Sequence, residues 1–456
     1  MEKVLSAIQL QRDFYASGRT KSYEARRSML LKLREAIVSR ESELLAALKR
    51  DLNKGDFEAY STEIGITLAE LSHTLRHLKK WMKPKRMRTP MTHFGARSYV
   101  MFEPYGVSLI IAPWNYPVQL TLVPLIAAVA AGNTALVKPS ELSPSVSNVL
   151  TSLINDTFEP GWAVSIEGGI DVSTALLEQR FDKIFFTGSV AVGKIVMAAA
   201  AKHLTPITLE LGGKSPCIVH QDANVALAAK RIAFGKFTNA GQTCIAPDYV
   251  YVHHSVKEKF MKEMEKAITE LYGSDPLRNP NYVHIISEKH YDRLVSFMKD
   301  GRTSIGGEVE QAVKGIAPTL LEDVDWSSPI MQEEIFGPLL PVMDYRSIED
   351  VVAAVNARPK PLALYLFSES GAVQEEVLSR IPFGGGCVND TIMHVGTPYL
   401  PFGGVGESGI GSYHGDVSFE AFSHQKSVLK QTTLFDMPFR YPNSKMGSKL
   451  IRKLLK

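Results

Sequence analysis

Met29, Leu30, Leu33, Ile37, Leu44, Leu45 and Leu48 recur at helical spacing among charged residues, so the stretch 23–52 predicts helix, and a second helical stretch spans 61–81. The basic run 79–88 that follows is broken by Pro84 and reads as a solvated connector. From Tyr105 the texture changes. Residues 107–112 form an unbroken apolar run, as expected of a strand covered on both faces. A helix over 120–131 ending at Gly132, a strand over 134–137, a strand over 183–187, a helix over 190–202 and strands over 207–211 and 217–219 come next. This alternation predicts an α/β fold built on an open parallel sheet. A second α/β region starts near Gly212. Its clearest element is a helix opening at Ser255, with Glu258 placed to close a capping box, a buried stripe of Val256, Phe260, Met261, Met264, Ile268 and Leu271, and Gly273 as its stop. The basic segment 445–456, with Leu450, Ile451, Leu454 and Leu455 at helical spacing, reads as a loosely ordered tail. Weak peripheral attachment to an anionic membrane is the sharper alternative.

A chain of 456 residues exceeds one hydrophobic core, so at least two domains are expected. Hydrophobic residues at 45% and charged ones at 22% are ordinary for a soluble enzyme, and a net charge of +3 without a basic stripe argues against a nucleic-acid binder. The three cysteines, at 217, 244 and 387, give neither a paired framework nor a zinc spacing, so no metal is expected and a reducing compartment is. The most apolar window, 120–131, is too short to span a bilayer, and the N-terminus has no basic segment leading into a long apolar run. The expectation is a cytoplasmic protein without a membrane span.

Several residues sit where chemistry is plausible. Cys244 follows Thr238-Asn239-Ala240-Gly241-Gln242-Thr243, small and polar residues that leave room for a substrate carbon and offer N–H groups to an oxyanion. Cys217, by contrast, lies in an apolar stretch suited to packing. Thr187-Gly188-Ser189-Val190-Ala191-Val192-Gly193-Lys194 joins a strand to a helix, where a backbone can approach a pyrophosphate; it lacks one glycine of the usual fingerprint, and tight-turn glycines would also explain it. Lys138 and Glu141 follow a strand and can bond an adenosine ribose, or form a plain surface loop. Asn115, in Pro113-Trp114-Asn115-Tyr116-Pro117, is a rigid amide donor or a turn former. Glu210 lies in an apolar strand, where burial raises a carboxyl pKa toward that of a general base. Glu333 and Glu334 adjoin Phe336 as a second acidic cluster, or as a solvated turn. Together these residues fit oxidation of an aldehyde through a covalent thioester.

With these motifs the chain resembles the aldehyde dehydrogenases, most closely the class 3 branch that acts on fatty and aromatic aldehydes. Pro113-Trp114-Asn115, Lys138-Pro139-Ser140-Glu141, Phe186-Thr187-Gly188-Ser189, Leu209-Glu210-Leu211-Gly212-Gly213-Lys214, Gly241-Gln242-Thr243-Cys244, Glu334-Ile335-Phe336-Gly337-Pro338, Val388-Asn389-Asp390 and 401–409 carry the likeness. The resemblance implies a Rossmann-like NAD(P)-binding domain over 1–82 and 103–210, a catalytic domain over 211–398, a bridging element over 83–102 and 399–430, and a tail over 431–456. It implies Cys244 as nucleophile, Asn115 and the Cys244 N–H as oxyanion donors, and Glu210 as base, with Glu334 as second candidate. Trp114, Lys138, Glu141, Gly188, Ser189, Gly193, Glu334 and Phe336 would bind NAD or NADP, the single-glycine turn being a variant of that family. Tyr60, Tyr116, Phe237 and Thr243 are candidates for an apolar substrate tunnel, though aromatics there also suit a core. A homodimer is implied as well. A CoA-acylating relative is the alternative within the enzymes, and a non-catalytic descendant lies outside them.

Overall fold

The computed structural model describes residues 2–442, 444 and 447–455. Five parallel strands form the centre of the first sheet, in the order Ile207–Glu210, Lys183–Thr187, Val107–Ile111, Thr134–Lys138, Ala163–Ser165. The short strand Gly409–Ile410 adds antiparallel beside Ile207–Glu210. Every residue of Val107–Ile111 is buried, as its unbroken apolar run requires. The helix Pro117–Ala131 is buried along its whole length, starts with proline at its first position and ends on Gly132 at φ 93°. From Val107–Ile111 the chain moves outward through Thr134–Lys138 to Ala163–Ser165, then returns to add Lys183–Thr187 on the opposite side. The loops after these two neighbouring strands therefore diverge, and they open a crevice at the carboxyl edge of the sheet.

The second sheet holds seven strands, in the order Arg302–Ile305, Thr319–Glu322, Leu339–Tyr345, Tyr249–His253, Pro216–Val219, Ala363–Phe367, Gly385–Val388; all neighbours are parallel except the first pair. A third, antiparallel sheet joins Lys85–Met87, Ala96–Pro104 and Ser423–Gln431. The basic connector thus contributes an exposed strand.

Several local expectations change. The stretch 23–52 is two helices, Tyr23–Ser39 and Glu41–Leu52, preceded by a further helix, Glu2–Ala16. The stretch 61–81 opens with a π-helical turn, Tyr60–Ile64, before the α-helix Gly65–Trp81. The capping box at Ser255 does not form. Ser255 bonds the His253 ring at 2.8 Å, the α-helix starts two residues later as Lys257–Tyr272, and Glu258 pairs forward with Lys262 at 2.8 Å. In the tail, Gly447–Leu454 is a helix. Residues 445, 446 and 456 lie outside the described residues, as do the side chains of Ile451 and Leu454, on which its predicted apolar stripe depends. No helix among the described residues is long and apolar enough to cross a membrane.

Candidate active site

The carboxyl edge of the first sheet faces the segments that lead into the second: Gly212–Gly213 before Pro216–Val219, Cys244 before Tyr249–His253, Glu334–Phe336 before Leu339–Tyr345, and Pro359–Pro361 before Ala363–Phe367. Between them lies a cavity of about 790 Å³, into which Trp114, Asn115, Gly188, Ser189, Glu210, Cys244, Glu334 and Phe336 all project.

Cys244 is presented by an unusual backbone. Asn239, Ala240 and Gly241 take φ of 55°, 50° and 72°, three consecutive left-handed residues. Such strain persists only where its surroundings fix it. Gln242 supplies much of that fixing: its side chain donates to the carbonyls of Asn239 and His284 at 3.1 Å each and accepts from Ile286 N at 3.0 Å. Glu58 accepts the Asn239 N–H at 2.8 Å. Asn115 is almost fully buried, and its side-chain amide donates to the Gln242 carbonyl at 3.1 Å. One amide hydrogen is thereby used, leaving the second for an oxyanion. Burial, then Glu334 and Glu210, push the Cys244 thiol well above its usual range, while the N–H groups of Cys244 and Ile245 pull it back. The thiol is protonated at neutral pH until a positive group approaches it.

Glu210 ends its strand 2% exposed, and neither carboxyl oxygen has a partner among the described residues. Burial raises its pKa well above the usual carboxylate range. Glu334 is half-buried and accepts the Gly213 N–H; burial and then the nearby Asp248 carboxylate push it up to about 8. Its carboxylate lies so close over Gly212 that a Cβ there would overlap it. Phe336 takes φ 54° and meets Trp114 edge-on, with ring centroids 5.5 Å apart.

The cavity wall fits a dinucleotide. The helix Val190–Ala201 opens beside Gly188 and Ser189, its N-terminus carrying partial positive charge of the kind that suits a diphosphate, and Thr187 Oγ1 is buried there without a partner among the described residues. Gly193 lies behind this wall against Leu211 rather than in the cavity, permitting close packing of helix on strand. Lys138 and Glu141 pair with each other at the carboxyl end of Thr134–Lys138, outside the cavity lining.

Of the four expected substrate residues, Tyr116 and Thr243 are brought together, and Phe237 and Tyr60 lie apart from them. Phe237 is a core residue packed on Tyr272, Tyr60 is 45% exposed on the π-helical turn, and Tyr116 and Thr243 are buried and bonded to each other at 2.7 Å. The aromatic character of Phe237 served packing, its helix burying that face. Sequence reasoning also missed three groups. Arg293 donates to the carbonyls of Glu334 and Ile335 at 3.1 and 2.6 Å, and His290 meets Trp114 edge-on at 5.4 Å. Lys214 bonds the carbonyls of Ile330 and Glu333 at 2.9 Å each and pairs with Asp248. Only Lys214 had a signal, lying next to the Gly212–Gly213 turn. Among the described residues no group of three or more metal-ligating side chains is found.

The chain is similar to several known proteins. The family model described as the aldehyde dehydrogenase family matches residues 1–428. The 4,4'-diaponeurosporen-aldehyde dehydrogenase of Staphylococcus aureus is 48% identical over 97% of both chains. The dimeric NADP-preferring aldehyde dehydrogenase of Canis lupus familiaris is 43% identical over 97% of this chain and 98% of its own. A solved structure of the substrate-bound state of Staphylococcus aureus AldH superposes with a TM-score of 0.98 at 47% identity, covering 99% of each chain. The CoA-acylating alternative finds no support in these relatives.

Proposed function

The chain belongs to the aldehyde dehydrogenase family, an enzyme family that oxidises aldehydes with NAD(P), and from that premise we propose how its own residues do so and on what. The observation that supports the assignment is the convergence of Cys244, the Asn115 amide and the unpartnered Glu210 carboxyl on one cavity. Cys244 Sγ gives its proton to solvent and attacks the aldehyde carbon, and the resulting thiohemiacetal oxyanion is held by the Asn115 Nδ2–H and the Cys244 N–H. Gly188, Ser189 and Trp114 would hold the cofactor diphosphate, Glu334 and Phe336 its nicotinamide end, and Lys138 and Glu141 its adenosine ribose. When bound, NAD(P)+ supplies the hydride acceptor that turns the thiohemiacetal into a thioester. Glu210 then takes a proton from the water that attacks the thioester, and the carboxylic acid leaves with Cys244 restored as a thiol.

The substrates proposed are medium- or long-chain aliphatic or aromatic aldehydes; the Staphylococcus aureus relative is named for the aldehyde of 4,4'-diaponeurosporene. The name of the canine relative supports a homodimer able to use NADP. We assign the chain to the cytoplasm. The test is NAD(P)H formation at 340 nm with hexanal, decanal, hexadecanal and benzaldehyde, each with NAD and with NADP, in native protein and in Cys244→Ala. Turnover should rise with chain length and vanish in the variant. Activity that survived Cys244→Ala would remove the thiol from the mechanism.

A further inference from the structure

Behind the oxyanion donor lies a pair of charges that the reaction as described does not use. Lys54 Nζ and Glu63 Oε1 are 2.7 Å apart, and both side chains are 0% exposed. Burying opposite charges rarely gains stability over an apolar pair, so such a pair invites a specific reason. Each partner has a second contact. Lys54 also donates to the Asn115 carbonyl at 3.3 Å and lies 4.4 Å from the centre of the Tyr116 ring. The other oxygen of Glu63 accepts the N–H groups of Val118 and Gln119 at 2.9 and 3.2 Å. These are orphan donors in the first turn of Pro117–Ala131, which has no side-chain cap of its own. Glu63 is carried by the π-helical turn Tyr60–Ile64, a local departure from α geometry of the kind found at functional sites. The Asn115 carbonyl takes a further bond from Asn239 Nδ2 at 2.9 Å, and the Asn239 and Asn115 amides share the Gln242 carbonyl, at 3.0 and 3.1 Å.

We propose that the Lys54–Glu63 pair is a positioning device for the oxyanion donor. It clamps the Asn115 carbonyl and the helix start that follows, so that the Asn115 amide keeps one direction relative to Cys244. The two residues touch no reacting atom and act through Asn115, so the proposal rests on the oxyanion role given to Asn115 above.

The test is the double variant Lys54→Met/Glu63→Gln, which removes both charges of the pair and keeps an acceptor for Val118 and Gln119, while Glu58, the other carboxyl facing Lys54, keeps its bond from the Asn239 N–H. Glu63→Gln alone is the second variant. Both are made in the native background and in Asn115→Ala, and kcat, aldehyde KM, NAD binding and melting temperature are measured. In the native background kcat should fall roughly ten- to a hundredfold, the scale of misplacing a catalytic group, while NAD binding stays within about twofold. In Asn115→Ala the same change should cost less than about twofold more, because the group it aims is gone. Full kcat in the native background, or an equal loss in both backgrounds, overturns the proposal. Normal turnover in Asn115→Ala by itself overturns the oxyanion role first, before the ion pair is touched.

Discussion

Glu210 and Glu334 are two carboxyls on one cavity in different environments. Glu210 has no hydrogen-bond partner, while Glu334 accepts the Gly213 N–H and lies near Lys214 and Arg293. Burial raises both, and only the deprotonated form of either can take a proton from water. The sign follows directly: turnover must rise with pH as the working base loses its proton. With Glu210 as that base, kcat climbs along a limb that Glu210→Gln abolishes, and the variant loses about a hundredfold or more in steady turnover. It should still form one equivalent of NADH rapidly in stopped flow, because acylation of Cys244 precedes the step that needs the base. A pH limb that survived in Glu210→Gln, or a missing burst, would move the role to Glu334. At this scale the sequence was legible where a residue type contradicted its surroundings. A glutamate inside Ile207-Thr208-Leu209-Glu210-Leu211 is conspicuous. Lys54 and Glu63 are not, because charges scattered through a helical segment look like a solvated face until the structure buries them.

The segment that delivers Cys244 depends on a backbone path that side-chain patterns do not report. Gly241 is the third of its left-handed residues, at φ 72°, and a Cβ there would overlap the Gly337 carbonyl. Gly241→Ala should therefore lower the melting temperature and cut kcat at least tenfold, on the scale of about 1–3 kcal/mol of stored strain. Gly371→Ala is the control, since a Cβ there meets nothing within 4 Å. Equal behaviour of the two variants would show that the turn tolerates what its geometry forbids. Regular elements were easier to read: the expected strand over 183–187 is Lys183–Thr187, and the helix ending at Gly132 is Pro117–Ala131. Hydrophobic period reports such segments because each buries a fixed face. Element ends were harder. Ser255 and Glu258 have capping-box spacing, yet His253 captures the serine hydroxyl and the helix starts later. The π-helical turn at Tyr60–Ile64 adds a residue without changing composition, so no pattern announces it.

At the scale of the molecule, the active site exists because one sheet's carboxyl edge meets the other's amino edge, and neither edge alone holds both Glu210 and Cys244. Strand alternation made the first sheet legible, but strand order and the facing of the two edges are set by contacts far apart in the chain. The first sheet also holds a charge with no part in the chemistry. Lys183, the first residue of its strand, is 4% exposed, and its ammonium donates to Thr208 Oγ1 at 2.8 Å. Burial lowers its pKa from 10.5 to about 7. In the unfolded chain the same amine keeps its ordinary pKa, so between about 7 and 10.5 the unfolded state binds the extra proton. Stability from this group is thus fully present above the upper limit and is lost as pH falls toward the lower one. Replacing it with an apolar chain of similar length removes the penalty of burying the cation. Lys183→Met should melt above the native protein at pH 6, with the difference shrinking steadily as pH is raised toward 10. Thermal melts of the two proteins at matched pH isolate Lys183 from every other titrating group. A difference that stayed constant with pH would mean that the ammonium is solvated in the folded state.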